Sequence, residues 1–248
     1  MIEEHGIPTA CISLIRPHSE RVKPPRSLWV PFELGRPLGV PNDADFQRKV
    51  LLKLLRLLER SDGPVILDDY PIDAPETGEE SPILSCPVRF DHPIQDDSDP
   101  LKSAFLSEIL AMRPLYDMAK KKRDRTTLGG SGVSVDMLGE FIYSFIEGKE
   151  PENPLQDVDL SVTLKMAVED LKSYYVESLT AQEGQENLSS KALKEWLWND
   201  TNAGKVLLKL VEICSTSENE KLKMTGSYLI APMDIMMKHN LIKEKLPK

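Results

Sequence analysis

The chain has 248 residues, 40% of them hydrophobic and 29% charged, with a formal net charge of −9. That length allows one or two domains with a buried core. The acidic balance argues against general affinity for nucleic-acid backbone, which needs clustered Lys and Arg, so no nucleic-acid partner is expected.

In chain order, Thr9-Ala-Cys-Ile-Ser-Leu-Ile15 is a short, nearly continuous apolar run, which predicts a strand covered on both faces. Ser27-Leu-Trp-Val-Pro-Phe32 predicts a second strand, with Pro31 confining it to its end or to a sheet edge. Asn42 or Asp43 is placed to cap a helix carrying Phe46, Val50, Leu51, Leu54, Leu57 and Leu58 on one face. Val65-Ile-Leu67 predicts a third strand. This order implies an α/β N-terminal part, a small and mainly parallel sheet, over residues 1–70. Residues 71–100 are rich in Pro and acidic side chains and read as a linker or surface wrap.

From 101 to 248 the signals are helical and predict an all-α bundle. Ser98 or Asp99, with Pro100 in the first turn, opens a helix to about Lys122 that Pro114 should kink or divide, and the basic run Lys120–Arg125 reads as its solvated end. Ser134 opens the next helix, Asp159 or Ser161 a third, Ser189-Ser190 a fourth and Asp200 or Thr201 a fifth. A last helix covers roughly 219–237, with a break at Pro232. The segment Arg123-Asp-Arg-Thr-Thr-Leu-Gly-Gly-Ser-Gly132 reads as a flexible interhelical loop; the alternative is an anion cradle before a helix, although it lacks the Lys-Ser/Thr ending of a P-loop and no strand precedes it. Tyr174-Tyr175 and the Trp196-x-Trp198 pair read as core packing.

The cysteines, Cys11, Cys86 and Cys214, are widely spaced and form no C-x-x-C pair. Cys11, between Ala10 and Ile12, reads as a small buried strand residue, whereas Cys86 in the wrap reads as exposed. The four histidines offer no metal-ligand spacing, so neither a metal nor a cofactor is expected. The acidic start Met1–His5 does not resemble a signal peptide, and no apolar stretch approaches the ~18 residues of a membrane span, so a cytoplasmic protein without a membrane partner is expected.

The densest motif block is Gly6-Ile-Pro-Thr9 before a strand, then Pro24-Pro-Arg26, Phe32, Gly35-Arg-Pro-Leu-Gly39, Pro41-Asn-Asp43 and Gln47. In order and spacing this block, over roughly residues 3–70, resembles the C-terminal portion of the glycine/sarcosine/betaine/D-proline reductase selenoprotein B family. The resemblance implies reductive cleavage of a substrate C–N bond, with a dithiol as electron partner and an amino acid or betaine as substrate. It also implies association with reductase subunits or with further copies of the chain. In the family the nucleophile lies in a Cys-x-x-Cys or Cys-x-x-Sec pair about one helix before the Gly-Ile-Pro-Thr strand. This sequence begins almost at Gly6, so that pair is missing from it and its catalytic residue is unknown. The expectation is therefore a reductase component whose thiol comes from another segment or chain, a non-catalytic binding or assembly relative, or a reading frame opened at an internal methionine. Within the block, Arg26, Gly35, Arg36 and Gly39 are the expected substrate-binding or subunit-contact residues. The two arginines are suited to bidentate grip of a carboxylate; the alternative is that they tether loops through backbone carbonyls.

Overall fold

The computed structural model describes residues 2–72, 98–185 and 188–241. The expected segment Ile83–Cys86 and His92 lie outside the described residues. The chain divides into two compact units, Met1–Thr77 and Gly78–Lys248. The first is a small parallel α/β unit and the second is helical, as expected from the sequence.

In the first unit, strands β1 (Cys11–Ser13), β2 (Arg26–Trp29) and β3 (Ile66–Asp69) pair in parallel in the order β1-β2-β3. The register aligns Ile12, Leu28 and Asp68 on one face, and Cys11, Ser27 and Leu67 on the other. Between the strands run helices α1 (Arg16–Val22) and α2 (Ala44–Arg56). Helix α2 covers the Leu28 face. Phe46, Val50 and Leu57 join Leu28, Val30, Phe32, Ile66 and Tyr70 in a small core, and Lys53 pairs with Asp68 at 2.8 Å. Helix α1 approaches the other face, where the Ser19 hydroxyl donates to Ser13 at 2.5 Å.

Two details correct the expectations, and one, the end of β2 before Pro31, agrees with them. Strand β1 is an edge strand with only β2 beside it among the described residues, so Cys11 is exposed rather than buried. Strand β2 is central and stops two residues before Pro31, which satisfies the proline without an edge. On α2, Leu51, expected on the buried face, is 40% exposed. Asp43 caps the helix by accepting from the Phe46 amide at 3.0 Å.

The second unit holds α3 (Pro100–Arg123), α4 (Val135–Ile146), α5 (Leu160–Leu179), α6 (Ser190–Glu195), α7 (Asn202–Ser215), α8 (Glu220–Tyr228) and α9 (Met233–Lys238). Capping explains most boundaries. Asp99, Asp159, Ser189, Thr201 and Asn219 each accept from a backbone N–H in the first turn of the helix they open. Pro114 does not divide α3. The carbonyl it leaves without an amide donor belongs to Leu110, which is 59% exposed, so water can take that place. After α6 the chain widens into a π-helical turn at Trp196–Asp200. Helices α3, α4, α5 and α7 enclose one core in which Leu164, Leu171, Tyr174, Val206, Leu207 and Leu210 are fully buried. Helices α7 and α8 pack closely: a Cβ on Gly226 would stand 2.6 Å from the Ser215 nitrogen, so only glycine fits there.

Candidate functional site

In open parallel sheets, ligand sites form beyond the carboxyl ends of the strands. At that end of this sheet, β2 runs into the loop 31–43. The loop is stiff for reasons visible in its sequence. Gly35 (φ +88°) and Gly39 (φ +81°) take left-handed backbone that other residues rarely adopt. The Arg36 amide donates to Glu33 O at 3.0 Å and the Gly39 amide to Arg36 O at 2.9 Å, making two successive turns. The Gln47 side-chain amide donates to Val40 O at 2.8 Å and pins the loop to α2. Arg36 lies 3.7 Å from the Glu33 carboxylate with its side chain 41% exposed. Across the same edge Arg16, at the start of α1, reaches Asp69 at the end of β3 at 3.1 Å and also pairs with Glu20. The Asp69 carboxylate, more than Glu20, holds the Arg16 guanidinium above its ordinary pKa.

Arg26 is elsewhere. It is the first residue of β2, at the amino end of the strand, whereas Gly35, Arg36 and Gly39 follow the carboxyl end. The four residues expected together are thus split by the length of the strand. At its own end Arg26 Nη1 donates to both oxygens of Glu3, at 2.8 and 3.1 Å, and its side chain is 10% exposed. The same carboxylate oxygen accepts from the Thr9 amide at 2.6 Å and the Thr9 hydroxyl at 2.8 Å. These contacts hold the Glu3 carboxyl below its usual pKa, the Thr9 amide first, then the Thr9 hydroxyl and Arg26. Gly-Ile-Pro-Thr and Pro-Pro-Arg therefore meet through Glu3, a residue outside both motifs. Arg26 is tethered by a carboxylate, not by the backbone carbonyls that the alternative reading invoked.

Comparison of the chain with protein-family models, curated proteins and solved structures finds no match. The site is therefore read from its own geometry.

In the helical unit the Gly-rich segment is an anion cradle, and the anions are the chain's own. Asp170, 4% exposed on α5, accepts from the amides of Gly129, Gly130 and Ser131 at 3.0, 3.2 and 3.0 Å, and from the Ser131 hydroxyl at 2.6 Å. Glu177, two turns further along α5, accepts from Thr126 Oγ1 at 3.0 Å and from the amide and hydroxyl of Thr127, both at 2.7 Å. The loop is held, not flexible, and its donors are engaged. Glu108 serves α7 in a similar way, accepting from the amides of Asn202 and Ala203 and from the Tyr175 hydroxyl. Tyr174, Tyr175 and Trp196 stack in the core, which agrees with their reading as packing residues.

Among the described residues no group of three or more His, Cys, Asp and Glu could hold a metal ion, and no helix is long and apolar enough to cross a membrane. Cys86 lies outside the described residues, so the thiols that can be placed are the exposed Cys11 and the buried Cys214. The sequence gives no signal for Glu3 or Asp69, and it places Arg16 after the first strand without its partner. Arg16 and Asp69 are 53 residues apart and meet only because β1 and β3 flank β2 in parallel, a relation no local spacing encodes.

Proposed function

We propose that the chain is a divergent member or component of a glycine-reductase-type system, the class of the selenoprotein B reductases. In this reading the α/β unit presents the Gly35–Gly39 loop to an amino-acid or betaine substrate or to a partner subunit, and the cleaving thiol comes from another segment or chain. The reaction balances as glycine plus a dithiol giving ammonia, acetate and the disulfide. The observation that carries the reading is the loop itself: a doubly turned segment, held by Gln47, at the carboxyl end of the central strand of a parallel sheet.

A second reading is an assembly or binding protein that kept this scaffold without the redox pair. It is favoured by the state of the two arginines, since Arg26 is bound to Glu3 and Arg36 faces Glu33. Amine release from glycine, sarcosine or betaine, driven by dithiothreitol, separates the two. The reductase reading expects release by a cell extract to fall when the gene is deleted and to recover when the purified chain is added. Release unchanged by deletion rejects it and leaves the assembly reading.

A further inference from the structure

The contacts around Glu3 have the composition of a receptor for a small carboxylate. A backbone amide, a hydroxyl and a guanidinium converge on one carboxylate oxygen, at 2.6, 2.8 and 2.8 Å. Charge-assisted bonds of this kind are the strong ones, and an arginine beside N–H and O–H donors is the usual protein solution for carboxylate recognition. All three donors come from two residues in ordered parts of the fold. Arg26 belongs to the central strand and has its side chain nine-tenths buried, and Thr9 immediately precedes the Ala10-to-Leu14 stretch that packs on the core.

The carboxylate is of another kind. Glu3 sits on a short 3-10 turn, Ile2–His5, that buries no residue. It joins Thr9 through a turn closed by the Gly6 amide on Glu3 O at 3.0 Å, and its side chain keeps 22% exposure. The receptor is rigid, and its occupant rides on a lightly held turn.

The guanidinium also has capacity that Glu3 does not use. Both contacts to Glu3 run from Nη1, while Arg26 Nε is buried and has no hydrogen-bond partner among the described residues. A buried N–H without an acceptor is costly, and such groups in a folded protein call for a ligand or a functional explanation. Nε–H lies on the edge of the guanidinium shared with Nη2, where arginine forms its fork-like pairs, and a free carboxylate, not tied to the chain at Glu3, is able to turn toward that edge.

We infer that Thr9 and Arg26 form a binding site for a small monocarboxylate, such as formate or acetate, and that Glu3 is a tethered occupant which such a ligand displaces. The site lies at the amino end of β2, the opposite end from the Gly35–Gly39 loop, and its existence does not depend on the reductase reading.

The test is a titration of the full chain with sodium formate, with sodium chloride at equal ionic strength as control. It follows the Thr9 amide and the Arg26 Nε–H by nitrogen-15 NMR. A tethered competitor acts at an effective concentration of about millimolar or more. Glu3→Ala is therefore expected to bind formate at least tenfold tighter than the wild type, with both resonances shifting together. Glu3→Gln, which keeps the side-chain size, is the second variant should the alanine form unfold, and it is expected to bind tighter as well. The double variant Glu3→Gln, Arg26→Gln is expected to lose binding. Formate affinity in the Glu3 variants no greater than in the wild type overturns the inference. So does binding that survives loss of Arg26, and so do shifts that chloride reproduces.

Discussion

In the helical unit the carboxylates that gather several backbone-amide and hydroxyl donors are built into long helices: Asp170 and Glu177 on α5, and Glu108 on α3. They hold a loop and a helix end, and a broad core with fully buried Tyr143, Tyr174 and Tyr175 lies around them. In the α/β unit the comparable carboxylate, Glu3, sits on a turn that buries nothing, beside a core of eight buried side chains among the described residues. The same bond types do different work in the two places. Where the acceptor is anchored, an anion cradle is architecture. Where the acceptor is carried on a peripheral turn, the same donors form a site that can be vacated.

The strongest way to break this comparison is to remove the anchored anion. Asp170→Ala deletes an acceptor of three backbone amides and one hydroxyl, of which the Ser131 pair is buried. Leaving such donors unpaired costs about 3 kcal/mol, which for a unit of this size lowers Tm by roughly 6–12 °C. Calorimetry combined with hydrogen exchange checks it: exchange should rise in residues 126–134 and across α5, and stay unchanged in β1–β3. An Asp170→Ala protein as stable as the wild type would mean that the cradle is ornamental and that the distinction between the units is false.

The fold class was legible because it rests on periodicity and caps. Leu138, Phe141, Ile142 and Phe145 fall on one helical stripe, and the helix starts at Asp99, Ser134, Asp159, Ser189 and Thr201 were readable as short polar residues before apolar runs. What stayed hidden was set by tertiary partners. Pro114 was read as a break because its cost is local, yet its effect depends on which carbonyl it orphans. Leu51 was assigned to the core because an α/β helix with this many leucines has more apolar surface than one small sheet can cover. Arg26 was grouped with Gly35 and Arg36 by closeness in sequence, but a strand between them carries nearby residues to opposite ends of a sheet. The Gly-rich segment reads by composition as a flexible loop, with a cradle only as the other candidate, because its acceptor, about 40 residues downstream, leaves no local signal.

A gentler probe is acid. Asp159 accepts from the Lys221 ammonium, the Ser161 hydroxyl and the Ser161 amide at the start of α5, and these hold its pKa down, to about 2. A carboxylate depressed in the folded state contributes stability that is fully present above its unfolded value, near 4, and is lost as pH falls through about 2. Exchange protection in the first turn of α5 should therefore weaken between about pH 4 and pH 2 in the wild type. Asp159→Asn, which has no charge to lose, should be less protected at pH 7 and show a flatter profile over that window. Parallel profiles for the two proteins would sink the assignment. Because Asp159 links α5 to α8 through Lys221, the effect should stay within the helical unit.

The smallest perturbation contrasts the two placed thiols directly. Cys11 is exposed on the outer strand of the α/β unit, whereas Cys214 is 2% exposed on α7, and burial pushes its thiol up to about 11. The thiolate is the reactive form, so burial protects Cys214 twice, by blocking access and by keeping the proton on sulfur. Brief iodoacetamide treatment of the native protein at pH 8, followed by peptide mass spectrometry, should find Cys11 alkylated and Cys214 unmodified. Denaturant should bring Cys214 to the same level of labelling. A carbamidomethyl group on Cys11 projects from the face opposite the Leu28 core, so Tm should move by less than about 2 °C. Equal labelling of both thiols in the native state would show that the helical core opens as readily as the sheet edge. Protection of Cys11 would show instead that something in solution covers β1, and the open edge that distinguishes the α/β unit would then be an interface.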